Sequence, residues 1–526
     1  MYTAFLPDIF LQQMRELLLP GEFDAFCETY EQPTVRGLRL NKLKPQSVAF
    51  DFNTLATVPW CAEGLYYNEE TRPSKSIFHH AGLFYIQEPS AMCPVEVLKP
   101  MPGDRVLDLC AAPGGKSAQI AGHMMGAGLL VSNDASPTRS RALVKNLERL
   151  GVTNAVVTTE LPKKLTGRFP EFFDKILVDA PCSGEGMFRR DADAVKAYTA
   201  NKPDACVEMQ TDILRYAARM LKPGGRLVYS TCTFNMKENE NVIAWFLENN
   251  PEFCAVAIEH ERLGISAGLG ALSEAGRIFP HRAVGEGHFV ALLEKKLHGE
   301  PRTEVVGAPF IAPGYLSEDI RKSDTNIPME IAGQVRNGGA GQSGGYGKDE
   351  NRGNSGRGKQ RPYKEGARSA LSPAHSLRPA SRNLTPTLSN EFAEFCKTHI
   401  TGVNFPPEKI IAHGANLYLS PEPLDLSGIR TARSGWFLGE VSKGRFIPSH
   451  ALAMGLRRED VSHGVELSEE NAHRYLRGES FEADETLQND KSKPWVMVCY
   501  HGYPLGWARL VQGRLKNNLP VGLVIK

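Results

Sequence analysis

The sequence predicts an α/β protein organised around a mostly parallel, seven-stranded sheet, with a small α/β unit before it and a β-rich unit after it. Three observations point there. Between Val106 and about Lys296, short β-rich runs alternate with helical patterns. The first of those runs is followed by a turn of small residues that opens a helix, and a Gly-, Ser- and Arg-rich stretch separates the region from a tail of short strands. At 526 residues the chain also exceeds what one hydrophobic core usually organises.

Taken in order, residues 1–95 begin with helical periodicity (Phe10, Met14, Leu17, Leu18) and continue with an alternating segment, Val35 to Asn41, which suggests a small α/β unit with exposed basic residues. Residues 96–298 carry the expected strands at 106–110, 129–133, 155–159, 175–179, 226–230, 253–258 and 288–294. Residues 299–388 read as a linker. Within it and just beyond, 333–390 hold 11 glycines, ten basic and three acidic residues, and only Tyr346 and Tyr363 as aromatics, too little apolar surface to order the chain. Such a tether can also serve as a weak phosphate-binding arm. Residues 389–526 start with a helix (Glu391 to His399) and continue as short strands, including Trp495 to Tyr500 and Val521 to Ile525.

Composition narrows the function classes. With 61 basic against 60 acidic residues the chain is no uniformly basic nucleic-acid coat, so any basic face is local. The ten cysteines show no CxxC and no zinc-ligand spacing; no metal site is expected, and the thiols fit a reducing compartment. Neither a signal peptide nor a run of about 20 apolar residues occurs, so a cytoplasmic protein without membrane contact is expected.

Two clusters carry chemistry. Val106 to Cys110 reads as a buried strand, followed by Ala111-Ala112-Pro113-Gly114-Gly115-Lys116-Ser117 at the start of a helix. Backbone N–H groups in such a turn can approach a ligand closely, yet the pattern is neither GxGxxG nor a P-loop. Asp134 ends the next strand, about 20 residues on, where an acid can take both hydroxyls of a ribose, so an adenosine-type ligand is expected. The second cluster is a pair of cysteines just past strand ends. Cys182 lies in Asp179-Ala180-Pro181-Cys182-Ser183-Gly184 and Cys232 in Ser230-Thr231-Cys232-Thr233, with a helix expected near Lys237. A thiolate adding to carbon 6 of cytosine makes carbon 5 enamine-like and able to accept a methyl group. Asp179 is placed to support ring nitrogen 3, Cys182 can assist elimination, and a helix N-terminus or Lys116 can stabilise the thiolate.

Together these residues resemble the Nop/Sun family of RNA cytosine-carbon-5 methyltransferases, in its branch acting on bacterial small-subunit ribosomal RNA. Gln87 to Met92, Phe279 to Arg282 and Gly285 to Phe289 are also similar to family motifs. The resemblance implies a Rossmann-like class I methyltransferase fold with a substrate-binding N-terminal domain, in which Arg36, Arg39 and Asn41 are similar to an RNA-contacting segment. It implies S-adenosylmethionine held by Ala111, Ala112, Pro113, Gly114, Gly115, Lys116, Ser117 and Asp134, with Glu160 near its adenine and Asp179 touching cofactor and base. Cys232 would attack and Cys182 would assist release; the reverse assignment, as in DNA cytosine methyltransferases, is the mechanistic alternative. Tyr475 to Glu479, Gly502 to Trp507 and Leu515 to Asn517 resemble a PUA-like RNA-binding module. The expected partner is small-subunit ribosomal RNA bound by a monomer, with transfer RNA as the second substrate and a non-catalytic ribosome-assembly factor as the second class.

Overall fold

A computed structural model describes residues 5–45, 47–68, 70–199, 202–297, 299, 386–483 and 494–525. Nearly all of the expected linker lies outside these residues.

All seven expected strands form: β1 (Arg105–Asp108), β2 (Leu129–Asn133), β3 (Ala155–Thr158), β4 (Phe173–Asp179), β5 (Leu221–Thr231), β6 (Phe253–Val256) and β7 (His288–Lys295). The first five pair in parallel in the order β3-β2-β1-β4-β5, and β7 joins β5 antiparallel. β6 pairs with one half of β7, and a short strand at Gly276–Ile278 pairs with the other half. The sheet exceeds seven strands because Ser266–Ala267 and Gly276–Ile278 extend one edge and Thr431–Ser434, from far downstream, pairs with β3 at the other.

The strands are apolar on both faces because helices cover both. Alternate residues divide cleanly: Val106, Leu130, Leu177 and Val228 pack with Ile120 of α1 (Gly115–Met124) and Leu143 and Leu147 of α2 (Pro137–Arg149). Leu107, Val131, Val178 and Tyr229 face Leu214 and Ala217 of α3 (Lys202–Met220) and Phe246 of α4 (Glu240–Asn249). β1 sits between β2 and β4, whose connecting helices lie on opposite faces. The crevice beyond the carboxyl ends of these strands is the natural ligand site.

The N-terminal unit is a four-stranded antiparallel sheet containing Arg36–Leu40, preceded by helices over Asp8–Leu17 and Pro20–Glu28. Phe10, Met14 and Phe26 of these helices pack against Phe188, Phe234 and Phe279 of the central region. The tail forms a four-stranded sheet from Ile410 to Pro448 and a five-stranded sheet that includes Trp495–Tyr500. Val521 to Ile525 is not a strand. Pro520 supplies no N–H, Val521–Leu523 winds into a 3-10 turn, and the Ile525 amide donates to the carbonyl of Leu476.

Candidate active site

Polar groups stand at the carboxyl ends of four of the parallel strands. At β1, Asp108 is fully buried and accepts the Ser117 hydroxyl at 2.6 Å, while its other oxygen has no partner. Burial, against the Ser117 bond, pushes this carboxyl up to about 7. Above it the small-residue turn enters α1 with Gly114 at φ 109°, which a side chain would strain. The turn is held from behind: Arg139 donates to the Ala112 carbonyl at 2.7 Å and Asn146 to that of Pro113 at 2.9 Å. At β2, Asp134 accepts the amides of Ser136 (2.9 Å) and Ala112 (3.3 Å), and burial holds its pKa above the ordinary aspartate value.

At β4, Asp179 Oδ2 accepts Lys116 Nζ at 2.7 Å and Oδ1 accepts the Ser230 hydroxyl at 2.9 Å. Burial opposes ionisation, but the Lys116 charge and the facing His288 hold this carboxyl well below the usual range. Lys116 is buried too, yet the same pairing raises its pKa. At β5, Cys232 follows the strand end and its sulfur lies 3.4 Å from that of Cys182. Cys182 is buried and Cys232 is partly open. The contact with Cys232, then burial, push the Cys182 thiol well up. Backbone bonds lock the two cysteine loops together, from Ala180 N to Ser230 O and from Gly186 N to Cys232 O, both 2.9 Å.

Profile matching adds to this geometry. The profile of 16S rRNA methyltransferase RsmB/F matches residues 95–294, and those of the RsmF N-terminal domain, first C-terminal domain and PUA domain match 6–89, 394–456 and 462–525. The ribosomal RNA small subunit methyltransferase F of Erwinia tasmaniensis is 32% identical over 99% of this chain and 97% of that protein. This chain belongs to the RsmB/F family. The protein of the same name from Escherichia coli strain SE11 is also 32% identical over the same shares. The crystal structure of PH0851 has 28% identity and a TM-score of 0.50, covering 55% of this chain and 66% of that one.

As an RsmB/F-family member the chain is an RNA cytosine-C5 methyltransferase using S-adenosylmethionine. The residues present fit that cofactor: a turn of small residues, a strand-end carboxylate at Asp134, and the partnerless oxygen of Asp108 beneath the turn. Among the described residues, no helix is long and apolar enough to cross a membrane.

Two residues of the N-terminal unit depart from the sequence reading. Arg39 is buried, not presented to a polyanion: it donates to the Gly115 carbonyl at 2.9 Å and to the side chains of Gln87 and Gln119. Asn41 donates to the carbonyls of Gly82 and Leu150, both at 2.8 Å. Glu160 is engaged by the tail, accepting the Arg430 amide at 2.7 Å and its guanidinium at 3.3 Å, with Lys164 at 2.7 Å. Cys61, Glu63 and Glu96 come together as possible metal ligands, but Lys42 pairs with Glu63 and His123 with Glu96.

Sequence reasoning missed Glu238. It sits in the turn before α4, which starts at Glu240 rather than near Lys237, and accepts the Ser183 amide at 2.8 Å and Gln210 at 3.1 Å. Burial, then the charge of Glu185, push its pKa up to about 8. No local pattern distinguishes it from any helix-start acid.

Proposed function

We propose that this chain methylates carbon 5 of a cytosine in small-subunit ribosomal RNA, with Cys232 as nucleophile, acting as a cytoplasmic monomer. The observation that carries the reading is the pair of thiols 3.4 Å apart beside the Lys116–Asp179 ion pair. The RNA assignment draws on the names of the relatives and on the PUA profile. Residues 1–95 and 389–526 would grip RNA on either side of the catalytic region 96–298, with 299–388 as a tether.

Bound S-adenosylmethionine supplies an electrophilic methyl group. Ala111 to Ser117 would cradle it, Asp134 would take its ribose hydroxyls, and Glu160, already bonded to Arg430, would border its adenine. The target cytosine must leave any stack to reach a thiol at the foot of a crevice. Of the two sulfurs, Cys232 is the more open, while contact with it, then burial, push the Cys182 thiol well up, which favours Cys232 as attacker. Its thiolate bonds to carbon 6, the ring takes a proton from water at nitrogen 3, and the ionised Asp179 steadies that N–H by accepting its hydrogen bond. Lys116 keeps Asp179 ionised. After transfer water takes the carbon 5 proton, the carbon–sulfur bond breaks with the Cys182 S–H donating a hydrogen bond to the departing thiolate, and nitrogen 3 returns its proton to water.

The test is transfer of labelled methyl from S-adenosylmethionine to RNA, with bisulfite mapping in cells with and without the gene. Cys182→Ala should accumulate a covalent protein–RNA adduct and Cys232→Ala should give neither adduct nor product. The reverse pattern overturns the nucleophile assignment, and label only in transfer RNA overturns the substrate.

A further inference from the structure

We propose that His288 is a positioning residue of this reaction, whose ring Nε2–H closes onto Asp179 when the site fills and fixes the direction of that carboxylate. The inference rests on the proposed role of Asp179.

Three observations carry it. First, His288 is 3% exposed and neither ring nitrogen has a hydrogen-bond partner. Buried polar groups are nearly always paired, so a histidine left unpaired in a catalytic crevice calls for an explanation. Second, the nearest acidic atom is Asp179 Oδ1, 3.7 Å from Nε2, just beyond a hydrogen bond. Catalytic bonds are often long before substrate arrives and tighten in the complex. Third, the ring comes from the strand beside the nucleophile. β7 pairs with β5 through Phe289 and Thr231, so His288, one residue before, and Cys232, one residue after, stand together at the end of that register.

The charges around the pair favour this contact. Burial, first, and the positive charge of Lys116 keep the His288 pKa below the ordinary histidine value, while Asp179 and the more distant Glu88 oppose that trend. A neutral imidazole has one N–H to give. Given to Oδ1 beside the Ser230 hydroxyl, it leaves the free lone pair of Oδ2 as the acceptor for the base, with Lys116 on its other side. Without it, the Ser230 hydroxyl alone holds Oδ1, and the carboxylate, 30% exposed, can tilt about its Lys116 contact.

The test compares His288→Phe, His288→Asn and His288→Gln in the full-length enzyme, with kcat and KM for both substrates and binding of S-adenosylmethionine measured separately. The amide nitrogen of glutamine reaches about as far as Nε2, and that of asparagine only about as far as Nδ1. Phe and Asn should each lower kcat at least about tenfold with the S-adenosylmethionine KM little changed, and Gln should stay within about threefold of wild type. Equal turnover by the Asn and Gln variants, or a Phe variant as fast as wild type, overturns the proposal. Should Phe fail to fold, the Asn and Gln pair still decides. A wild-type enzyme that leaves cytosine unmethylated overturns the underlying reading and this inference with it, whereas an active wild type matched by its Asn variant overturns this inference alone.

Discussion

Replacing Lys116 by Met removes the charge that keeps Asp179 ionised while retaining most of the buried stem. At the 2.7 Å separation of this pair, Coulomb attraction at an effective dielectric constant of about 20 is about 6 kcal/mol. Since 30% of the Asp179 side chain meets solvent, screening reduces this by roughly half, to about 3 kcal/mol. That corresponds to a rise of about 2 in the Asp179 pKa, so kcat falls, by up to about 100-fold, only toward the acid end of the profile where the carboxylate takes its proton. The sign of the pH effect follows. Lys116 lowers the Asp179 pKa, so its loss raises that pKa and moves the acid limb of the kcat profile to higher pH. Single-turnover methyl transfer to RNA from pH 5 to 9, with S-adenosylmethionine binding followed by calorimetry, separates this from a loss of cofactor. A variant that binds cofactor and turns over with the wild-type rate and profile would refute the reasoning.

Arg430→Ala frees Glu160 from the tail and should weaken S-adenosylmethionine binding about tenfold by calorimetry, with the RNA KM unchanged. Arg39→Met strips donors from the Gly115 carbonyl, Gln87 and Gln119, and should cost about 2–4 kcal/mol in urea unfolding, with lost cofactor affinity rather than lost RNA binding. Glu238→Gln tests a pH linkage. The folded carboxyl titrates near 8 against about 4.3 unfolded, so the native state binds more protons between these values and this residue's contribution to stability falls as pH rises. The difference in stability between wild type and variant should therefore fall by up to about 1.4 kcal/mol per pH unit across that window, and a flat difference counts against a protonated Glu238.

What could be read from the sequence is what a single strand and its following turn contain. Apolar runs of β length placed all seven strands, and the polar residue after each run picked out Asp134, Asp179 and Cys232, which stand at the carboxyl ends of parallel strands of one sheet. What escaped depends on contacts between distant segments. The strand at Thr431–Ser434 lies more than 270 residues from its partner β3 and has no pattern that names a neighbour. Arg39 reads as an exposed base in an alternating segment, yet the strand is covered on both faces and its guanidinium is used inside. Val521 to Ile525 is rich in β-branched and aliphatic residues, yet after Pro520 it winds into a 3-10 turn and returns onto the end of a helix.

The two arginines lead to a claim about the architecture. The cofactor turn is contributed wholly by residues 111–117, but the Gly115 carbonyl within it is held by Arg39 from the N-terminal unit. Glu160, on the far side of the same crevice, is held by Arg430 from the tail. Both contacts reach a part of the site that the central sheet alone leaves less constrained. A catalytic region cut out at 96–298 would keep every strand-end residue and lose both clamps. Preorganisation of a turn this small depends on its supports, because glycine-rich backbone has the most conformational freedom to lose on binding. On the proposed reading the flanking units support the cofactor site as well as the RNA, and cofactor affinity should respond to changes in either unit even when no RNA is present.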